Sequence, residues 1–335
     1  MIVIRHADVE SILDGREADN IRTVTEAYRL HALGQTAVPH SVFLRFPGPG
    51  HDRDRIIGLP AYRGGDRPVA GMKWISSFPA NIESGLQRAS AAILLNSLAT
   101  GHPEALVEAS VISARRTAAS AALAAELLTR DGRPTGVALI GCGVINHEIL
   151  RHLRAVLPEL TEVTLYDRAR PRAEDFAGRL AVDAPGLRIG YADSLDEALG
   201  AHPLISFATT AGVPHTGLDA VRPGSLVLHV SLRDLHPEAL LGAHNIVDDA
   251  DHVCRERTSP HLAEQLTGNR DFIDASIGQL LTGEREFVRV PGRTTVFSPF
   301  GLGVLDLALA ASVYDAAAAK GLGVRVDGFL PPPAA

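Results

Sequence analysis

The sequence predicts an α/β protein: a Rossmann doubly wound parallel sheet, preceded by an α+β domain and closed by a C-terminal helix. Three observations predict it. The apolar run Gly136-Val137-Ala138-Leu139-Ile140 feeds the closely spaced glycines of Gly141-Cys142-Gly143-Val144-Ile145-Asn146, and a helical pattern follows. About 20 residues further on, Glu162-Val163-Thr164-Leu165-Tyr166-Asp167 reads as the next strand and ends on a carboxylate, where an acid grips the adenosine ribose of a bound dinucleotide. Before the long alanine-rich segment, by contrast, the chain offers several strands in succession with hairpin-type breaks, which suggests an antiparallel sheet.

In order, Met1-Ile2-Val3-Ile4 reads as a short strand and 16–33 as a helix, with Ile21, Val24, Ala27, Tyr28 and Leu30 at three-and-four spacing and Gly34 as its stop. Strands are expected over 41–46, 55–62 and 69–76. Segments 91–98 and 105–109 flank Thr100-Gly101-His102-Pro103 and read as a hairpin. Ser113 is the expected N-cap of an alanine-rich helix running to about Leu128, with Arg115 and Arg116 in its first turn. From Gly136 the rhythm becomes strand–helix–strand, with further strands over 187–191, 204–208, 225–230 and 245–248. Ser194-Leu195-Asp196-Glu197 reads as a capping box. An apolar helix over 302–320 is expected to return to the first domain, and Pro331-Pro332-Pro333 to be disordered. The domains expected are 1–118, 119–301 and a C-terminal piece, 302–335.

A chain of 335 residues with net charge -7 offers no electrostatic footprint for nucleic acid or an anionic membrane. Two cysteines, Cys142 and Cys254, make no disulfide framework, so a reducing cytoplasm fits. The fourteen histidines lack ligand spacing, and no metal centre is expected.

Gly141 allows a tight turn off the strand, Gly143 lets backbone approach a pyrophosphate, and the helix opening at Val144 and Ile145 points its N–H groups at the phosphates. Asn146 departs from the fingerprint, which prefers Gly or Ala there. The turn implies a nicotinamide or flavin cofactor. Asp167 would repel a 2′-phosphate, whereas Arg168 and Arg170 could neutralise one, so NAD is favoured over NADP.

Ligands of such sheets lie beyond the carboxyl ends of the strands. Ala208-Thr209-Thr210-Ala211-Gly212 and His229-Val230-Ser231-Leu232-Arg233-Asp234 should therefore face the cofactor ring. Asp234 is either a site carboxylate or a turn former. Lys73, inside the apolar run Val69-Ala70-Gly71-Met72-Lys73-Trp74-Ile75, is either an edge-strand guard or a site residue. Arg115 and Arg116 sit where the helix macrodipole disfavours cations unless an anionic ligand is near. Arg45 and Arg88 are either further site cations or surface side chains, and several arginines around one cleft would suit a substrate bearing more than one carboxylate.

Met72-Lys73-Trp74, Thr100-Gly101-His102-Pro103, Ala114-Arg115-Arg116-Thr117-Ala118-Ala119-Ser120 and Gly141-Cys142-Gly143 resemble, in order and spacing, the ornithine cyclodeaminase/μ-crystallin family over nearly the whole chain. The resemblance implies a homodimer, a first domain for substrate binding and dimerisation, Lys73 and Arg116 on the substrate carboxylate, and Asp234 as the catalytic carboxylate. The expected cofactor set is Gly141, Gly143, Val144, Ile145, Asn146, Asp167, Thr117, Thr209 and Ser231. Leu235-His236-Pro237-Glu238 after Asp234 and Ser298-Pro299-Phe300-Gly301 near the C-terminus depart from the cyclodeaminases. Residues 39–47, 73–81 and 87–91 instead resemble a branch acting on N-(2-amino-2-carboxyethyl)-L-glutamate in 2,3-diaminopropionate biosynthesis. Its substrate carries three carboxylates, which Lys73 with Arg116, Arg45 and Arg88 would hold. Two rivals stand beside it: a dehydrogenase of the same family with a smaller substrate, and a μ-crystallin-like binding protein.

Overall fold

The computed structural model describes residues 1–48 and 50–331, so Pro332 and Pro333 of the expected disordered tail fall outside the described residues. The chain divides into two compact units, Met1–Arg116 with the chain from Leu302 onward, and Thr117–Gly301.

The first unit is built on a mixed sheet of β1 (Ile2–Ile4), β2 (Thr36–Ala37), β3 (Val42–Arg45), β4 (Arg55–Arg63), β5 (Val69–Ser77), β6 (Ala89–Asn96) and β7 (Pro103–Glu108). β3 through β7 pair antiparallel, as the breaks between them predict, while β1 joins β7 in parallel. The β6–β7 hairpin turns at Gly101, at φ 74, where Asn96 Nδ2 donates to the Gly101 carbonyl at 2.9 Å. A helix over His6–Leu13 was not anticipated; Val9, Ile12 and Leu13 form its buried stripe, and the Asp8 carboxylate accepts the Arg5 N–H at its start. The helix Glu17–Ala32 lies close to its expected bounds.

Alternation gives this sheet two different faces. One row runs Leu59, Lys73, Ile93, Val107 across β4, β5, β6 and β7, and all four are buried. The C-terminal helix Gly303–Lys320 packs on this side: Gly303 lies against Leu59 and Leu307 against Gly71. The opposite rows carry Trp74 with Val42, and Met72 with Pro60, Leu94 and Leu106. Trp74 is 43% and Val42 65% exposed, so this face is broad and apolar.

The helix Ser110–Leu128 begins three residues before the expected cap. The Glu108 carboxylate accepts the Ser110 N–H at 2.7 Å and the Ala109 carbonyl accepts that of Ser113 at 2.8 Å, so Ser113 is interior and Arg115 and Arg116 stand beyond the first turn.

The second unit holds β8 (Gly136–Ile140), β9 (Glu162–Tyr166), β10 (Arg188–Tyr191), β11 (Leu204–Phe207), β12 (Leu226–His229), β13 (His244–Val247), β14 (Ala275–Ser276) and β15 (Thr295–Ser298). All pair in parallel in the order β10-β9-β8-β11-β12-β15-β13-β14, so the winding reverses between β8 and β11. That is the doubly wound Rossmann arrangement, with its ligand crevice at the reversal. Leu204–Phe207, Leu226–His229 and His244–Val247 are buried throughout, as central parallel strands must be. β15 was not anticipated and inserts between β12 and β13. Ser194 accepts the Glu197 N–H at 3.1 Å, while the Glu197 carboxylate reaches one residue further out than a capping box requires, to the Asp193 N–H. Among the described residues no helix is long and apolar enough to cross a membrane.

Candidate active site

At the end of β8, Gly141 holds φ 91, and a Cβ there would meet the Ala208 carbonyl oxygen at 2.6 Å, so only glycine fits between the two strand ends. At Gly143 a Cβ would meet nothing within 4 Å, which leaves open space over the turn. Gly143 caps the helix Val144–Val156, whose first N–H groups, those of Val144 and Ile145 among them, have no helical acceptor. An open turn backed by helical N–H donors fits a pyrophosphate. Asn146 is wholly buried: its Nδ2 donates to the Ile140 and Gly141 carbonyls at 3.0 and 2.8 Å, and its Oδ1 accepts the Ser206 hydroxyl at 2.7 Å. Its side chain therefore fastens the turn from beneath instead of facing a ligand. Asp167 lies at the tip of β9, where its Oδ2 accepts the Cys142 N–H at 2.9 Å and its Oδ1 the Ala169 N–H at 3.1 Å. Arg170 stacks on Tyr191 at 4.2 Å and reaches Glu174 and Asp193. Thr117 is half-buried on the long helix.

Asp234 is fully buried beyond β12. The hydroxyls of Thr209 and Ser231, expected beside the cofactor, both donate to its carboxylate. His215 Nε2 lies 3.3 Å from Oδ1, and His229 Nε2 lies 3.4 Å from Oδ2 and 3.2 Å from the Asp234 amide nitrogen. Burial alone would raise the Asp234 pKa, but the hydrogen bonds from His215 and Ser231, with the His229 ring alongside, outweigh it and hold the group well below the ordinary carboxylate range. His215 was not singled out in the sequence. Its loop is sewn to that of Asp234, since the His215 and Thr216 N–H groups both donate to the Asp234 carbonyl, at 2.9 and 3.1 Å. His236 joins the same two loops through its backbone, its N–H donating to the Thr216 carbonyl at 2.8 Å. Among the described residues, no three His, Cys, Asp or Glu side chains converge to hold a metal.

In the first unit, Lys73 lies on an interior strand, which removes the edge-guard reading. Its Nζ donates to Asp306 Oδ2 at 2.7 Å and to the Ser113 hydroxyl at 3.3 Å, and Arg116 Nε donates to Asp306 Oδ1 at 3.1 Å. Asp306, in the first turn of the C-terminal helix, is fully buried and was not anticipated. Arg115 points away, its Nη2 3.7 Å from Asp14. Arg88 donates to the Ser77 hydroxyl at 2.8 Å, half-buried at the end of β5, and burial lowers its pKa. Arg45 lies opposite Arg55, which pairs with Ser77, so Arg45 and Arg88 come to the same end of the sheet.

Burial pushes the Lys73 pKa down to about 8; Arg116 adds to the fall and Asp306 opposes it. Lys73 thus loses its charge as pH rises through about 8. A carboxylate ligand held by Lys73 should bind tightly below about pH 8 and weaken above it. Titrating ligand affinity from pH 6.5 to 9.5 checks this, and Lys73→Arg, which stays charged throughout, should flatten the alkaline limb.

Three proteins show what the chain is similar to. It is 28% identical over 98% of both chains to N-((2S)-2-amino-2-carboxyethyl)-L-glutamate dehydrogenase of Staphylococcus aureus. It overlays the structure of Thermococcus litoralis Delta(1)-pyrroline-2-carboxylate reductase in complex with NADH and L-proline with a TM-score of 0.90, at 25% identity over 97% of this chain and 100% of that one. An archaeal alanine dehydrogenase dimer with bound NAD overlays with a TM-score of 0.87, at 26% identity over 98% and 99% of the two chains. The sequence model of the ornithine cyclodeaminase/mu-crystallin family matches residues 2–321, and the chain belongs to that family.

Proposed function

We propose that the chain is an NAD-dependent oxidoreductase acting on a C–N bond, and that its substrate is N-(2-amino-2-carboxyethyl)-L-glutamate, released as 2-oxoglutarate and L-2,3-diaminopropionate. The observation that carries the reading is the charge of the buried cluster. Among the described residues Lys73 and Arg116 both pair with the Asp306 carboxylate, so this trio of side chains carries one net positive charge. A buried excess charge is costly unless a ligand balances it. The carboxylate beside the reacting carbon would do so. Arg45 and Arg88 would take the two outer carboxylates, a demand that a smaller amino acid does not make. The relative from Staphylococcus aureus, matched end to end, supports that substrate.

NAD, when bound at the Gly141–Gly143 turn, supplies the hydride acceptor for the glutamyl α-carbon. Arg170, engaged by Glu174 and Asp193, is poorly disposed to receive the 2′-phosphate of NADP. Lys73 and Arg116 would hold the α-carboxylate still, and in the second unit the donors around Asp234 hold a negative charge beyond the strand ends. The product would serve siderophore or peptide-antibiotic assembly in the cytoplasm. A second copy of the chain would cover the apolar face around Trp74, as a homodimer.

Incubation with NAD and candidate amino acids tests the reading: NADH should form with the tricarboxylate and not with alanine or proline, and the opposite preference would move the chain to a smaller substrate. Arg88→Ala should raise KM by about one to two orders of magnitude, since a charge-assisted contact is worth about 1.5–3 kcal/mol. An unchanged KM, or a collapse in thermal stability, would assign Arg88 to structure. Trp74→Glu should shift the sedimenting species from dimer to monomer, and an unaltered dimer would place the interface elsewhere.

A further inference from the structure

The carboxylate of Asp234 is enclosed by donors. It is wholly buried, both of its oxygens accept hydroxyl protons, and His215 and His229 flank it. His229 is equally buried. His215 is different: its side chain is 39% exposed, it stands on the loop beyond the carboxyl end of β11, and its Nε2 is directed at Asp234. Donation from Nε2–H to the carboxylate leaves Nδ1 as the ring's acceptor. Three backbone bonds between the two loops, from His215 and Thr216 to the Asp234 carbonyl and from His236 to the Thr216 carbonyl, fix the ring's position relative to Asp234.

We infer that His215 carries the proton in the hydrolytic half of the reaction, and that Asp234 is its positioning residue. The inference rests on the proposed function, in which the substrate amine becomes an iminium. As water oxygen bonds to the iminium carbon, Nδ1 takes the water's proton and the C=N electron pair moves onto nitrogen. The imidazolium, stabilised by Asp234, then returns that proton to the nitrogen. The C–N bond breaks, the amine leaves with the bonding pair, and the hydroxyl proton passes to solvent as the ketone forms. The same division between a buried aspartate that sets a ring's tautomer and a histidine that moves the proton operates in serine proteases on an unrelated fold.

Single-turnover reactions with NAD and the tricarboxylate, quenched with borodeuteride and followed by mass, test this. In His215→Ala, NADH should still appear in the first turnover while 2-oxoglutarate formation falls by about 10²–10⁴-fold. Trapped imine should accumulate as deuterated substrate, and added imidazole should restore part of the loss. His215→Gln, which keeps a donor for Asp234, should fold normally and show the same defect. Unchanged 2-oxoglutarate formation in either variant would overturn the inference, as would a loss that imidazole does not relieve. If the unaltered enzyme forms no NADH from this substrate, the proposed function fails first, and the inference falls with it.

Discussion

The ion pair between Lys73 and Asp306 binds the two ends of the sequence into one unit. Lys73 occupies a sheet row otherwise made of Leu59, Ile93 and Val107, where an ammonium without a partner could not stay charged. Asp306 reaches it from the C-terminal helix, 233 residues away in sequence. Removing one member of such a buried pair costs about 3–5 kcal/mol, because the other is left uncompensated. The helix must therefore dock with its first turn over β5, and the close approach of Gly303 to Leu59 allows it to do so. The same carboxylate also holds Arg116, so one acid sets the positions of both cations.

The second unit solves a different problem, that of aiming a carboxylate back at its own strand ends. β12 stops at His229, and five residues later Asp234 is already folded under the loop that follows β11. The reversal passes through Leu232 at φ 68, a conformation that costs a non-glycine residue about 1–3 kcal/mol. It is held there by the Ser259 N–H, which donates to the Leu232 carbonyl at 2.7 Å, and by packing against Val247, Val253 and Cys254. The strain thus lies two residues from Asp234, where it fixes the geometry of the polar cluster.

Much of this was legible in the sequence because it is local. Uninterrupted apolar runs between turn residues marked β4, β5, β8 and β9 to within a residue, and glycine spacing marked the turn at Gly141. β15 escaped because four residues, Thr295–Ser298, carry little pattern of their own and earn their place only by pairing with β12 and β13. Asp306 escaped because a single acid in an apolar helix reads as a blemish until Lys73 is seen opposite it. His215 escaped for the same reason, since only the pairing of two loops brings it to Asp234. Thr209, Ser231 and Asn146 were legible as polar groups near a strand end. Which way their side chains face is a tertiary fact, and it makes the first two partners of Asp234 and the third a fastener of the turn.

Both units thus hold charge at fixed points, the first as the cations paired with Asp306 and the second as a polar cluster beyond the strand ends. The reaction assigned to them requires that hydride leave the glutamyl α-carbon, the carbon next to the carboxylate given to Lys73 and Arg116. The most direct measurement uses substrate deuterated at that carbon and reads the mass of the reduced cofactor. The account predicts deuterium at the nicotinamide C4 position in stoichiometric yield, together with unlabelled 2-oxoglutarate. Reduced cofactor of natural mass would contradict it.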